Sequence, residues 1–342
     1  VKLTGNPFWH NKRVLVTGAN GLLGPWLIQD LINNGAHVVA LVRDLIPQSL
    51  FHTTGLDKHV TICFGELEDL PVLQRVINEQ NIDTVFHLGA QAIVGYANRS
   101  PLSTFTANIT GTWNLLEACR LSPWVKRIVV ASSDKAYGEH AKLPYNEDAP
   151  LQGKHPYDVS KSCADLITQS YIATYNLPVS ITRCGNFFGG GDAHLNRLIP
   201  GTIASLMANK PPVIRSNGLF VRDYIYVKDV SAAYITLAEQ MDNPAVIGQA
   251  FNFSTDLPFT TIEMVVKITN LMHKKDLKPI ILNEATNEIP AQHLCSAKAK
   301  RLLGWQAQYG VEAGLAETIA WYTQTNPQTM HLVKVQSFQD TA

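Results

Sequence analysis

The stretch Arg13-Val-Leu-Val-Thr-Gly18-Ala-Asn20-Gly21-Leu22-Leu23-Gly24 decides the fold. A β-branched apolar run ends in glycines at three-residue spacing, and an amphipathic pattern follows over Leu23–Asn33. Such a strand end brings backbone close to a pyrophosphate and aims a helix N-terminus at the anion. A glycine triplet alone is weak evidence. Here it opens a series of apolar runs, Arg13–Thr17, Ala36–Val42, Val60–Phe64, Thr84–Leu88, Arg127–Ala131 and Val179–Arg183. Helical patterns at Leu23–Asn33, Leu70–Glu79, Leu102–Cys119 and Tyr157–Tyr175 separate them. Alternation of this kind, with near-continuous apolar strands, predicts an α/β fold built on a doubly wound parallel sheet covered on both faces.

Working outward, a Rossmann-type dinucleotide-binding domain is expected over residues 1–185, with a segment near 225–255 returning to it. After Gly185 the character changes. The run Gly185-Asn186-Phe-Phe-Gly-Gly-Gly-Asp192 is followed by helical patterns near His194–Ala208, Lys228–Gln240, Ile262–Met272 and Val311–Thr323. Residues 186–330 are therefore expected to form a smaller substrate-binding region, and 331–342 a tail. The 342 residues carry 28 basic and 28 acidic side chains, which gives no reason to expect nucleic acid or an anionic membrane. No apolar run nears the roughly 20 residues of a membrane span, and Val1–Lys12 is too polar for a signal peptide. Five scattered cysteines without C-x-x-C spacing point to buried thiols in the cytoplasm, with no metal site.

The end of the second apolar run bears on the cofactor. An acid there would bind a ribose 2′-hydroxyl, whereas an arginine accommodates a 2′-phosphate. Val42 occupies the expected acid position. Arg43 favours NADP, and Asp44 keeps NAD open if the loop is shifted.

Three pieces suggest a reacting constellation. Val129-Val-Ala-Ser-Ser133-Asp134-Lys135-Ala-Tyr-Gly138 places polar groups past a strand end, where open parallel sheets bind ligands. Tyr157-Asp-Val-Ser-Lys161 opens a helix, and residues i and i+4 share a face. An ammonium beside a phenol lowers the phenol pKa, so Tyr157 is expected to be a proton acceptor near neutrality. Thr182-Arg-Cys-Gly-Asn-Phe-Phe-Gly189 supplies further polar groups to that edge. Singly, each has an ordinary explanation: a surface ion pair, a turn or a helix cap.

Together, these motifs resemble the nucleotide-sugar branch of the extended short-chain dehydrogenase/reductases, the epimerase/dehydratase family. The resemblance spans nearly the full chain and includes Asp83-Thr-Val-Phe-His-Leu88-Gly89-Ala90-Gln91, Asn108 ahead of Gly111, and Val221-Arg222-Asp-Tyr-Ile-Tyr-Val-Lys-Asp229. It implies a tightly bound dinucleotide held by Gly18, Asn20, Gly21, Leu22, Leu23 and Gly24, by Arg43 and Asp44, and by Leu88, Gly89, Ala90, Gln91 and Asn108. Glu66 and Leu67 would face the adenine, where the family usually has Asp. Ser133, Tyr157 and Lys161 would be the catalytic triad, with Lys161 also on the cofactor. Asn186, Asn196, Leu198, Ile199, Arg215 and Arg222 would line the nucleotide-sugar site, Arg222 on the diphosphate.

The residues after Ser133 separate two reactions. Epimerases of this branch carry small residues there; dehydratases carry an acid with another acid or polar group. Asp134 would protonate a departing hydroxyl if burial raises its pKa. Lys135 stands where many dehydratases have a Glu base, and could act only if desolvation or neighbouring positive charge lowers its pKa. Ser-Asp-Lys-x-Tyr, Phe8–Gly18 and Gly24-Pro-Trp-Leu27 resemble CDP-glucose 4,6-dehydratases, the expected class. A 4-epimerase, a GDP-mannose 4,6-dehydratase, a net reductase and a non-enzymatic dinucleotide sensor or scaffold are the alternatives. The resemblance also implies a homodimer paired through the Leu102–Cys119 and Tyr157–Tyr175 helices.

Overall fold

The computed structural model describes residues 6–286 and 288–324. Its strands are β1 Arg13–Thr17, β2 His37–Val42, β3 Thr61–Phe64, β4 Thr84–His87, β5 Arg127–Ala131, β6 Val179–Cys184, β7 Asn186–Phe188, β8 Val213–Ile214, β9 Val221–Tyr226, β10 Ala250–Phe253, β11 Pro258–Thr260 and β12 Ile280–Ile281. Seven form one sheet in the order β10-β6-β5-β4-β1-β2-β3, and all its neighbours run parallel. The order reverses direction at β1 and β4, which puts a crevice at their C-terminal ends.

The period-two pattern of each strand sorts its side chains to two faces. Val14 and Val16 of β1 join a core with Leu27, Ile28 and Leu31 of the Leu23–Asn33 helix and with Val230 and Leu237 of the Val227–Glu239 helix. Leu15 points the other way, into a core with Leu73, Val76, Leu115 and Leu116. A Rossmann-type doubly wound sheet is the result, with β10 contributed by chain beyond residue 249.

β7, β9 and β11 make a second, three-stranded sheet. The chain passes from β6 into β7 through Gly185, where a Cβ would lie 2.7 Å from the Asp223 Cβ. That close approach brings β9, carrying Arg222 and Asp223, beside the C-terminal edge of the main sheet.

Several elements differ from the sequence reading. The Leu102–Cys119 pattern is helical, but a π-turn over Thr106–Thr110 interrupts it between Pro101–Phe105 and Gly111–Arg120. Such turns reorient a side chain without ending the helix; this one buries Asn108. The helix expected from His194 starts at Leu198, because His194–Arg197 closes a tight turn instead. The short helix Ala297–Leu303 was not expected. Residues 331–342, expected as a tail, lie outside the described residues.

Candidate active site

The glycine turn is closed by steric necessity. Gly18 has φ 72°, and a Cβ there would lie 2.8 Å from the Gly89 nitrogen; one on Gly24 would lie 2.5 Å from the Gly18 carbonyl oxygen. The turn is thus pressed against the loop after β4, and its backbone lines a cradle that a side chain would fill. Leu22 and Leu23 direct their side chains into the core, leaving only their main chain to the turn. Asn20 donates to the Asp44 carbonyl at 2.9 Å and accepts from Ser49 at 3.2 Å, tying the turn to the end of β2. Arg43 and Asp44 pair with each other at 2.6 Å in solvent. Leu67 packs over Gly89 and Gly111, and Asn114 donates to the carbonyls of Leu67 (3.3 Å) and Glu68 (2.9 Å).

A buried chain of hydrogen bonds holds the β4 loop. Thr17 Oγ1 accepts from the Leu88 and Gly89 nitrogens at 3.1 and 2.9 Å. Its own proton points to His87 Nδ1 at 3.0 Å, and His87 Nε2 reaches Thr112 Oγ1 at 3.1 Å. Thr112 donates to the Asn108 carbonyl at 2.6 Å, so it accepts from His87, whose proton sits on Nε2. Burial, helped by the Lys161 charge, pushes His87 down to about 3, so it is a neutral strut. Asn108 accepts from the Gln91 nitrogen (2.7 Å) and donates to the Gln91 carbonyl (3.0 Å) and Ser160 Oγ (2.9 Å). Its amide is committed to protein. Asn108 shapes the Gln91 segment and anchors it to the Tyr157 helix.

Ser133, at the end of β5, caps the one-turn helix Asp134–Tyr137, accepting from the Lys135 nitrogen at 3.2 Å and donating to Asp134 Oδ1 at 3.0 Å. The other Asp134 oxygen is buried and unpartnered among the described residues. Burial raises the Asp134 pKa, against the opposing pull of Lys135. Burial lowers Lys135, and the neighbouring Arg222 charge lowers it further. The Asp134, Asp158 and Glu288 charges oppose the fall.

The Tyr157 helix, Pro156–Tyr175, lies across this turn. Ser162 donates to the Ala136 carbonyl at 2.8 Å. Arg183 of β6 grips Asp165 through two bonds of 2.8 and 2.9 Å and donates to the Tyr137 hydroxyl at 2.9 Å. The turn bearing Asp134 and Lys135 is thereby fixed to the helix bearing Tyr157. Lys161 does not reach the phenol as expected. Its ammonium donates to the Ala131 carbonyl at 2.9 Å, and burial lowers its pKa to about 8. Tyr157, expected below its ordinary pKa, is instead pushed up to about 12 by burial and by the Asp134 carboxylate. The Arg197 charge and a hydrogen bond with Ser133 oppose the rise.

On the substrate side, Asn186 is exposed on β7. Asn196 accepts from Arg215 at 2.9 Å, a pair at the surface. Ile199 is buried in the core, and partly buried Leu198 packs against that core. Arg222 is buried and pairs with Glu288 at 3.3 Å, while donating to the Val221 carbonyl at 2.9 Å. Asp223 is held by Ser254 (2.5 Å) and the Leu294 nitrogen (3.1 Å), and burial raises it to about 7. Arg197 and Glu288 escaped the sequence reading, since neither sits in a motif. No group of His, Cys, Asp or Glu suited to a metal occurs among the described residues.

Comparison with known proteins agrees with this geometry. The family model described as GDP-mannose 4,6 dehydratase matches residues 15–318. The CDP-glucose 4,6-dehydratase of Salmonella typhimurium is 30% identical over 330 residues, covering 92% of this chain and 91% of that one. The crystal structure of dTDP-glucose 4,6-dehydratase from Bacillus anthracis in complex with NAD superposes with a TM-score of 0.83 at 25% identity, covering 94% of this chain and 99% of that one. The UDP-glucose 4-epimerase of Thermotoga maritima, solved with UDP-glucose, superposes equally well, with a TM-score of 0.84 at 25% identity over 92% of this chain and 99% of that one. Backbone likeness therefore does not separate elimination from epimerisation; the side chains after Ser133 must.

Proposed function

Since the chain belongs to the GDP-mannose 4,6 dehydratase family, we propose that it is a nucleotide-sugar 4,6-dehydratase, and that CDP-glucose is its substrate. The observation that carries the reaction class is buried Asp134, one carboxylate oxygen of which has no partner among the described residues, followed by half-buried Lys135. The choice of CDP-glucose rests on the Ser133-Asp134-Lys135 pattern and on the Salmonella relative.

The glycine cradle and the loop at Leu88–Gln91 suit a nicotinamide dinucleotide, which when bound takes a hydride from sugar C4 and returns it to C6. The protein's own groups manage the protons. Tyr157 accepts the C4 hydroxyl proton. The C4 ketone acidifies the C5 hydrogen, which neutral Lys135 removes. Protonated Asp134 gives its proton to the C6 hydroxyl, which leaves as water. Lys135 then returns its proton to C5. One turnover leaves Tyr157 a proton richer and Asp134 a proton poorer. Ser133, hydrogen-bonded to both, is placed to pass that proton back. Burial, with the Arg222 charge adding to it, lowers the Lys135 pKa, and Arg222 is the residue expected on the diphosphate.

The purified protein is incubated with CDP-glucose, GDP-mannose, UDP-glucose and dTDP-glucose without added reductant. Loss of one water from CDP-glucose, seen by mass spectrometry, is the expected result. A new isomer of unchanged mass would establish the epimerase instead.

The finer cofactor choice rests on Arg43, whose exposed guanidinium at the end of β2 suits a 2′-phosphate and favours NADP over NAD. An Arg43→Ala variant is expected to bind NADP about tenfold more weakly and NAD unchanged, in a fluorescence titration. Equal losses for both would remove Arg43 from the choice. The homodimer is supported by Leu102, Trp113 and Leu166, which are 76%, 41% and 51% exposed on neighbouring helices. Light scattering at twice the chain mass is the expected result, and at one chain mass the refuting one. A cytoplasmic location is supported by the five free thiols; no described helix is long and apolar enough to cross a membrane.

A further inference from the structure

The two-stranded sheet of β8 and β12 leaves a strand edge open. Ile280 lies beside Val213 and Ile281 beside Ile214, in a parallel register. The Ile280 nitrogen donates to the Pro212 carbonyl at 2.9 Å, and the Leu282 nitrogen to the Ile214 carbonyl at 2.8 Å. Main-chain groups of successive strand residues aim in opposite directions. The Ile281 N–H and C=O therefore point away from β8, to a side where no described strand lies. The side chains along this edge are apolar and bare: Ile280, Ile281, Leu282 and neighbouring Val213 are all exposed. An open edge of this kind is a template for pairing with another chain.

The sequence of the edge says which chain. Lys278-Pro279-Ile280-Ile281-Leu282-Asn283-Glu284 is self-complementary about Ile281. When two copies meet antiparallel across a two-fold axis there, each Ile281 donates to and accepts from the other, the hydrogen-bonded pair of an antiparallel ladder. Ile280 then faces Leu282 of the other copy, and Lys278 faces its Glu284. Symmetry makes each of these contacts occur twice. Lys278 and Glu284 are both exposed and long enough to meet. The neighbouring registers are closed. Pro279 has no N–H to give, and Asn283, at φ 55°, leaves the extended conformation, so neither can centre such a pair.

We propose that the β12 edge is a self-association surface, at which two copies of this chain pair antiparallel about Ile281 with reciprocal Lys278–Glu284 ion pairs setting the register. It shares no residue with the helical face of Leu102, Trp113 and Leu166, so it joins whatever unit that face forms. One hydrogen-bonded pair bounded by Pro279 and Asn283 is a small contact, and small contacts associate weakly and reversibly.

The test is sedimentation equilibrium of the full chain from about 1 μM to about 1 mM, the range in which a weak contact fills. The average mass of the wild type is expected to rise with concentration above its low-concentration value, whichever unit is present there. Lys278→Glu and Glu284→Lys each set like charges opposite one another twice, and each is expected to associate about tenfold more weakly. The double variant should regain wild-type association, and the two single variants should associate with each other when mixed. Ile281→Pro removes the outward N–H and keeps the bonds of Ile280 and Leu282 to β8, so its mass should not rise. In the wild type, the Ile281 amide should exchange its hydrogen more slowly at high concentration than at low. A mass independent of concentration, or a double variant as weak as the single ones, would overturn the proposal. So would an Ile281 amide equally protected at every concentration, which would mean that the same chain covers the edge. If Ile281→Pro does not fold, the charge exchange at the surface decides alone.

Discussion

A Lys135→Met variant is expected to lose dehydration by about a thousandfold, the scale of a general base removed from its site. It should keep its fold, because the Lys135 ammonium makes no hydrogen bond to the described residues that the turn depends on, and methionine matches its apolar stem. The sharper readout is exchange at C5. In deuterated water the wild type should incorporate solvent deuterium at C5 of the product, because Lys135 removes and returns that proton. The variant should show neither exchange nor loss of water. Dehydration within tenfold of the wild type would remove Lys135 from the base role.

The same pair sets the pH dependence. In the proposed mechanism Lys135 acts when neutral, so the rate is expected to rise as pH climbs through its lowered pKa. In that mechanism Asp134 acts when protonated, so the rate is expected to fall as pH climbs through its raised pKa. The two groups are coupled, and the limbs of the profile belong to the pair. Asp134 protonated with Lys135 neutral holds the same number of protons as the ion pair. Burial favours the uncharged arrangement, since each isolated charge loses its hydration. Arg222 adds to this by repelling a lysine cation.

Tyr157→Phe is expected to reduce turnover by about a thousandfold or more through an earlier step. With no acceptor for the C4 hydroxyl proton, oxidation at C4 fails before elimination begins. Sugar deuterated at C4 distinguishes the two variants and the mechanism. In the wild type, the C4 deuterium should reappear at C6 of the product. In Tyr157→Phe it should stay on C4, and the variant should show no C5 exchange. The Lys135 variant should instead permit C4 oxidation without forming the 6-deoxy product. Transfer of label at a wild-type rate in Tyr157→Phe would show that another group takes the proton. The raised Tyr157 pKa gives the wild type a pH signature that this variant lacks. Phenolate is scarce near neutrality without help, so the wild-type rate of C4 oxidation should increase with pH towards about 12.

Much of this protein was legible in local sequence. The glycine turn and the strands around it could be read because strand period, turn glycines and helix start lie within a dozen residues. The order Ser133, Asp134, Lys135, Tyr157, Lys161 was legible for the same reason, since each group follows a strand end or opens a helix. The π-turn at Thr106–Thr110 was not. A helical pattern of apolar residues continues through it, and only the need to bury Asn108 against Gln91 and Ser160 selects the wider turn.

The electrostatics were the least legible. Proximity of Tyr157 and Lys161 on one helix face implied a lowered phenol pKa, but the lysine is drawn to the Ala131 carbonyl at the end of β5. Which partner wins depends on how the helix lies across the sheet, a fact no four-residue spacing contains. Arg222 raised the same difficulty. Its partner Glu288 and the buried Gln292 come from a segment some seventy residues further on that returns beside β9. The sequence by itself determined the sheet, the glycine turn and the candidate groups that follow β5 and open the Tyr157 helix, because periodicity and turn stereochemistry act over short stretches. Only the tertiary structure decided which of those groups are charged, which are held and which are left free for a ligand, because burial and long-range pairing set proton affinity and hydrogen-bond supply.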